Sequence, residues 1–194
     1  MSDILHYLSN LDGMTLAGPE LEKISSALQN NSFILEKDAV LKVATEPRIY
    51  FLKEGIGRIF TPNPKTGQST LNFIFAGDFF LMDKHNPKTQ AVELKFSGIT
   101  KVNLSRISKK EVLEIVGSQL DYMRLERAVY DSEYVRGFGF YLEFLHMNSN
   151  ERYNLFVERY GEETVKKITI NHLASFFGIF PESLTRIRRE RKHL

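Results

Sequence analysis

The order of apolar and polar positions changes period twice along the 194 residues of the chain. A short helical stretch comes first. Gly18-Pro19-Glu20 reads as a helix start, with proline in the first turn and an acid at the positive end of the dipole. Leu21, Ile24 and Leu28 then recur at helical spacing as far as Asn30-Asn31. From about Ser32 to Asn103 the pattern predicts strands. Phe33–Leu35, Val40–Val43, Ile49–Leu52, Arg58–Phe60, Thr70–Phe75, Ala91–Phe96 and Ile99–Leu104 are β-branched or aromatic runs. Pro47, Gly55, Gly57, Pro62, Pro64, Gly67 and Gly77-Asp78 punctuate them, and Leu81–Thr89 reads as a loop. Short strands with regular turn signals predict an antiparallel sandwich or barrel.

After Ser105 the period becomes helical. Ser108-Lys-Lys-Glu111 has the form of a capping box. No proline interrupts the chain from Ser118 to Met147. Val116, Leu120, Met123, Tyr130, Tyr134, Tyr141 and Leu145 keep a 3/4 spacing, with Arg127 and Gly137 in the two remaining places. A second stripe holds Val135, Phe138, Leu142 and Leu145. One helix with two apolar faces needs two partners: its own β-domain and a second body. The economical second body is a twofold mate in a parallel coiled coil; the alternative is a buried central helix in a monomer. Gly137 and Gly139 read either as flex points or as places of close packing. Asn148-Ser-Asn-Glu151 opens another helix, whose apolar face is Tyr153, Phe156, Val157 and Tyr160.

Composition narrows the chemistry. There is no cysteine, which excludes disulfides, thiolate zinc sites, Cys-ligated iron–sulfur clusters and cysteine nucleophiles. The five histidines show no ligand spacing, so no metal site is expected. No nucleophile–base pair, phosphate loop or paired-carboxylate motif appears, so no enzyme is expected. No apolar run approaches the ~20 residues of a membrane span, and the first residues lack the basic start and apolar core of a signal peptide. A cytoplasmic protein without membrane contact is expected. The net charge is only +2, yet nine Lys and Arg against six Asp and Glu lie from Asn148 onward. A basic C-terminal element hints at a polyanion partner.

The most specific segment is Thr169–Arg189. Thr169 caps a helix, Gly178 stops it, and Pro181-Glu182 starts a last, basic one. Ala174, Gly178 and Leu184 meet the needs of a helix-turn-helix: a small residue for close crossing, a glycine for a positive φ, and an aliphatic lock. Glu182, Ser183, Thr185, Arg186, Arg188 and Arg189 are expected to point outward.

The order of β-roll, long helix and helix-turn-helix resembles the Crp/Fnr superfamily, the relatives of the catabolite activator protein. The resemblance covers nearly the whole chain. It is carried by Phe75-Ala-Gly77-Asp78-Phe79-Phe80, Val102–Glu111, Asn150-Glu151-Arg152-Tyr153 and His172–Arg188. It implies an α+β fold: a jelly-roll, cyclic-nucleotide-binding-like domain over residues 1–117, a dimerisation helix over 118–147 and a DNA-binding domain over 148–194, lacking the C-terminal wing of many relatives. It implies a bacterial homodimeric regulator of double-stranded DNA at a pseudo-palindromic site, with RNA polymerase and a small-molecule effector as further partners. Family base readers fall on Glu182 and Arg186, with Ser183, Thr185, Arg188, Arg189 and Thr169 as phosphate or auxiliary contacts. Pro181 stands where some relatives place a basic residue.

The family's nucleotide cassette is degenerate here. Gly77-Asp78 keeps the turn, but the ribose-binding positions fall on Leu81-Met82 and the phosphate-binding positions on about Val92-Glu93, which cannot pair with a phosphate. The base-contacting pair falls near Gly137-Phe138, and Phe138 is expected to fill the pocket. No cAMP binding is expected, and no cofactor. The competing reading is a β-roll ligand or interaction module that has lost DNA binding.

Overall fold

The computed structural model describes residues 3–42, 46–82 and 93–191. Among these the strands are β1 (Ser32–Leu35), β2 (Arg48–Glu54), β3 (Ile56–Asn63), β4 (Gly67–Phe75), β5 (Phe79–Met82), β6 (Lys95–Gly98) and β7 (Val102–Ser108). Helices α1 (Asp3–Ser9) and α2 (Gly18–Asn30) precede them. Helices α3 (Lys109–Val116), α4 (Gln119–Phe144), α5 (Ser149–Tyr160), α6 (Glu162–Lys166), α7 (Ile170–Phe177) and α8 (Pro181–Arg191) follow.

The strands form two antiparallel sheets, β1-β7-β2-β5 and β4-β3-β6. Tyr50, Leu52, Phe80, Val102 and Leu104 from the first meet Ile59, Ile74 and Phe96 from the second in the inner core. Ile49 and Phe51 point the other way, into a core shared with Ile24, Leu28, Val112, Leu125 and Val129 of the covering helices. Burial on both faces explains why Ile49–Leu52 is a continuous apolar run instead of an alternating one. The outer side of the second sheet presents Ile56 and Phe73 to Phe140 and Phe144 of α4 and to α5, α7 and α8.

Several strand boundaries differ from the sequence pattern. Leu81 and Met82, expected to begin a loop, lie in β5, which pairs with β2 in the register Phe51↔Phe79 and Arg48↔Met82. Val40 makes an isolated bridge to Ser97, and Val43 lies outside the described residues. The expected Ala91–Phe96 strand is displaced to β6 in its described part, because Phe60 pairs with Lys95 and Gly57 with Gly98. Ile99 and Thr100 form a turn in which the Thr100 hydroxyl accepts from the Ile56 amide at 2.9 Å. Strand β7 then runs on to Ser108, beyond the expected change of period.

The local caps are those the sequence predicts. The Ser108 amide donates to Glu111 Oε2 at 2.8 Å, while Ser108 Oγ accepts from the Glu111 amide at 3.2 Å. Asn148 Oδ1 accepts from the amides of Asn150 and Glu151 at 2.9 and 3.1 Å. Val116 requires a correction: it belongs to α3, not to the long helix, and is buried against the helical side of the first sheet. Gly117, left-handed at φ 65°, ends α3, and Ser118 caps a separate α4. The rest of the stripe, Leu120, Met123, Tyr130, Tyr134, Tyr141 and Leu145, is at least half exposed. Tyr122, Leu125, Ala128, Val129, Phe140 and Phe144 bury the opposite side of α4. A Cβ on Gly137 would lie 3.4 Å from Asn72 Nδ2 on β4, whereas one on Gly139 would meet open space.

Three stacked rings fill the inner core. Tyr50 stacks on Phe80 at 5.3 Å, and Phe80 on Phe96 at 4.8 Å. Phe96 in turn lies across Gly57, where an added Cβ would come within 2.2 Å of the ring. Gly57→Ala is therefore expected to destabilise the fold by about 1–3 kcal/mol, the usual cost of overpacking a filled core. Urea unfolding measures it, and an unchanged midpoint would show that the stack yields freely.

Candidate nucleic-acid interface

Helix α7 begins at Thr169, whose hydroxyl accepts from the His172 amide at 3.3 Å. Gly178 ends it at φ 68°, the left-handed region that favours glycine. The Ile179 amide then donates to the Ala174 carbonyl at 3.0 Å. Ala174, Leu173, Phe177, Leu184 and Ile187 are buried between α7 and α8. The spacing Ala174, Gly178, Leu184 thus produces the close crossing and the turn expected of it.

Helix α8 divides its polar residues between two sides. Glu182, Thr185, Arg186 and Arg189 are exposed, and their i, i+3, i+4, i+7 spacing gathers them on one face. Arg186 has a side chain 76% exposed and lies 3.8 Å from Glu190. Thr185 donates its hydroxyl to the Pro181 carbonyl at 2.9 Å, leaving lone pairs outward. Ser183 is half-buried beside Gly178 and Arg186. Arg188 is a correction to the outward set. It donates to the Val165 carbonyl at 3.3 Å and lies over the Tyr153 ring at 5.7 Å. Arg191 also turns inward, 5.8 Å from Tyr153 and 3.6 Å from Glu162. These two arginines fasten α8 to α5 and α6; Arg186 and Arg189 are left facing out.

The side of α7 away from α8 rests on the second sheet. Ser175 Oγ accepts from the Thr70 amide at 2.9 Å and donates to the Gln68 carbonyl at 3.3 Å. Beneath it lies Arg58, 5% exposed. Its guanidinium donates to Ser97 Oγ at 3.3 Å, to Thr70 Oγ1 at 3.1 Å and to the Gln68 side chain. His172 is pushed down to about 4 by burial, then by Arg58 and Lys37, with Asp38 opposing. Phe176 packs edge-on against Phe73 at 5.1 Å and Phe144 at 5.7 Å. The helix-turn-helix is therefore docked on the roll of the same chain. Sequence reasoning missed this contact, although the polar Ser175 and His172 on a largely apolar helix were its signal.

The residues around the Gly77 turn serve a structural role. Gly77, at φ 97°, makes the expected turn under the Tyr7 ring. Asp78 accepts from the Phe75 amide at 2.7 Å and from Arg136 of α4, whose other nitrogen donates to the Phe79 carbonyl at 3.2 Å. Burial holds the Asp78 carboxyl above its ordinary value despite Arg136. One helical turn earlier, Glu133 accepts from the Leu81 amide at 3.1 Å, and burial pushes it up to about 7. Leu81 and Met82 are strand residues, and Met82 faces the inner core. Glu93 is exposed and pairs with Lys95 at 3.3 Å, while Val92 lies outside the described residues. Phe138 does not fill the roll. It is 38% exposed and stacks on Tyr134 at 4.8 Å, because the latch from Glu133 and Arg136 turns that side of α4 outward. Among the described residues no group of three or more ligating side chains could hold a metal ion, and no helix is long and apolar enough to cross a membrane.

No protein-family model matches the chain, and no curated protein matches it. Solved structures do match. FixK2 from Bradyrhizobium japonicum is 15% identical over 82% of both chains, with a TM-score of 0.66. CLP, the c-di-GMP responsive global regulator of Xanthomonas campestris, is 12% identical over 91% of this chain and 92% of that one, with a TM-score of 0.63. A CRP-family transcriptional regulator from Thermus thermophilus, TTHB099, is 12% identical over 83% of this chain and 84% of that one, with a TM-score of 0.60. The fold is therefore the α+β architecture of Crp/Fnr-type regulators.

His172 and Glu133 act on stability with opposite sign. Between its folded value of about 4 and its ordinary 6.5, His172 takes up a proton only on unfolding, so its contribution falls as pH falls. Between 4.5 and about 7, Glu133 keeps a proton only in the folded state, so its contribution falls as pH rises. Urea midpoints at about pH 5 and 7 separate them. His172→Gln is expected to favour the lower pH relative to wild type, and Glu133→Gln the higher. Shifts of the same sign in both variants would contradict this assignment.

Proposed function

We propose that the chain is a homodimeric, sequence-specific DNA-binding transcription regulator of Crp/Fnr type, without enzymatic activity and acting in the cytoplasm. The observation that carries the reading is the single exposed face of α8 bearing Glu182, Thr185, Arg186 and Arg189, with Arg188 and Arg191 turned inward as fasteners. In a major groove, Glu182 can accept from a cytosine amine, and Arg186 can bond guanine O6 and N7 bidentately. Arg189 and Thr169 would bond phosphates, which position the protein without reading sequence.

Dimerisation supplies the second half-site. The exposed stripe from Leu120 to Leu145 runs the length of α4, interrupted at Arg127 and Gly137, with Val135 and Leu142 also exposed beside it. An apolar strip of this length on a free helix calls for a partner, and a second copy joined along it would set two α8 helices ~34 Å apart. The reading excludes cAMP as effector. It is supported by the Tyr50, Phe80 and Phe96 stack inside the roll and by Asp78 being engaged with Arg136.

Selection of duplex DNA from a random pool tests the function. A palindromic motif with a steep salt dependence is expected, relaxed at one base position by Arg186→Ala with a loss of roughly 1–3 kcal/mol of discrimination. Binding without sequence preference, or none, would contradict the reading. Sedimentation tests the dimer. Tyr134→Glu, on the exposed face of α4, is expected to yield a folded monomer that binds the selected site weakly, whereas a monomeric wild-type protein would overturn the proposed interface.

A further inference from the structure

Phe180 is 77% exposed, more than any other large apolar side chain among the described residues. It occupies the turn between α7 and α8, and its carbonyl accepts from the Leu184 amide at 3.2 Å, which makes it the residue that caps α8. That position ordinarily takes Ser, Thr, Asp or Asn, whose side-chain oxygen satisfies a free amide. Phenylalanine offers no such oxygen, and the next residue, Pro181, has no N–H to offer a phosphate. The leading edge of α8 is thus apolar where a capping or phosphate-binding edge would be polar. Neither helix capping nor core packing accounts for the ring.

Its neighbours indicate what it meets. Phe180 borders a groove of about 390 Å³ with Ser183 and Arg186 on one side and Asn148, Ser149 and Asn150 at the start of α5 on the other. The Arg186 guanidinium beside the ring complements a nucleic-acid strand. The N-terminal residues of a recognition helix face base edges. On those edges the major groove offers one apolar group, the thymine C5-methyl. We infer that Phe180 is a specificity-determining residue that contacts the C5-methyl of a thymine in each half-site, next to the base pairs read by Glu182 and Arg186. This rests on the DNA-binding reading above.

The test uses the full chain and the duplex recovered by selection. Each thymine is replaced singly by deoxyuridine, which removes the methyl group and leaves the hydrogen-bonding edges intact. One replacement per half-site is expected to weaken wild-type binding roughly three- to tenfold. Phe180→Ala is expected to weaken binding to the thymine duplex by a similar factor and to be indifferent to that same replacement, while Phe180→Leu keeps part of the sensitivity. Phe180 is exposed, so the variants should melt as wild type does, and circular dichroism checks this. If deoxyuridine has no effect at any position, or weakens wild type and Phe180→Ala equally, the Phe180 contact is overturned while the DNA reading stands. If wild type selects no DNA, both fall. Loss of self-association in Phe180→Ala, with thymine sensitivity unchanged, would assign the ring to a protein contact and overturn the inference.

Discussion

The outer face of the β4-β3-β6 sheet has to be covered, and the way it is covered governs the rest of the molecule. Ile56 and Phe73 stand on that face, and Phe140, Phe144, Phe156 and Phe176 close over it. Aromatic side chains of this size bury about 150–250 Å² each and add edge-to-face terms of ~0.5–1.5 kcal/mol per pair. The cluster draws on the roll, the long helix and both helices beside α8. One apolar core therefore holds the helix-turn-helix to the body of the chain, and the Ser175 and Arg58 hydrogen bonds fix its register on the sheet.

Helix α4 faces three environments in turn. Its first half packs on the helical side of the first sheet through Tyr122, Leu125 and Val129. Its second half enters the aromatic cluster through Phe140 and Phe144. Between the two, Glu133 and Arg136 tie it to the turn at Asp78 and to β5. A buried ion pair of this kind contributes little net stability, because desolvation offsets most of the attraction. Its value is positional. It sets the rotation of α4 about its own axis, and so decides which side chains face out.

What could be read from the sequence was local. The caps at Ser108, Asn148 and Thr169 and the left-handed turn at Gly178 depend on residues a few positions apart, and each was legible. The apolar stripe on the long helix was legible for the same reason, and so was the Ala174, Gly178, Leu184 spacing. What escaped was set by contacts distant in sequence. Asp78 and Arg136 are 58 residues apart, and their pairing is what turns Phe138 outward. Arg188 reads as one more cation on a basic helix until Val165 and Tyr153 are placed beneath it. Val116 continues the helical spacing, and only the left-handed Gly117 shows that the helix has already ended. Strand β5 escaped because its burial comes from β2 and α4, not from an alternation of its own.

Docking of α7 on β4 has a geometric consequence. A reading head on a free tether would search for its half-site, and the spacing between half-sites would be loosely defined. Here α7 shares a core and two hydrogen bonds with the sheet, so in the proposed twofold assembly the distance between heads becomes a dimension of the core, like the gap of a caliper. If α8 reads DNA as proposed, changes to Phe73, Phe140 or Phe176 would alter the length of operator accepted, whereas changes on α8 would alter its spelling.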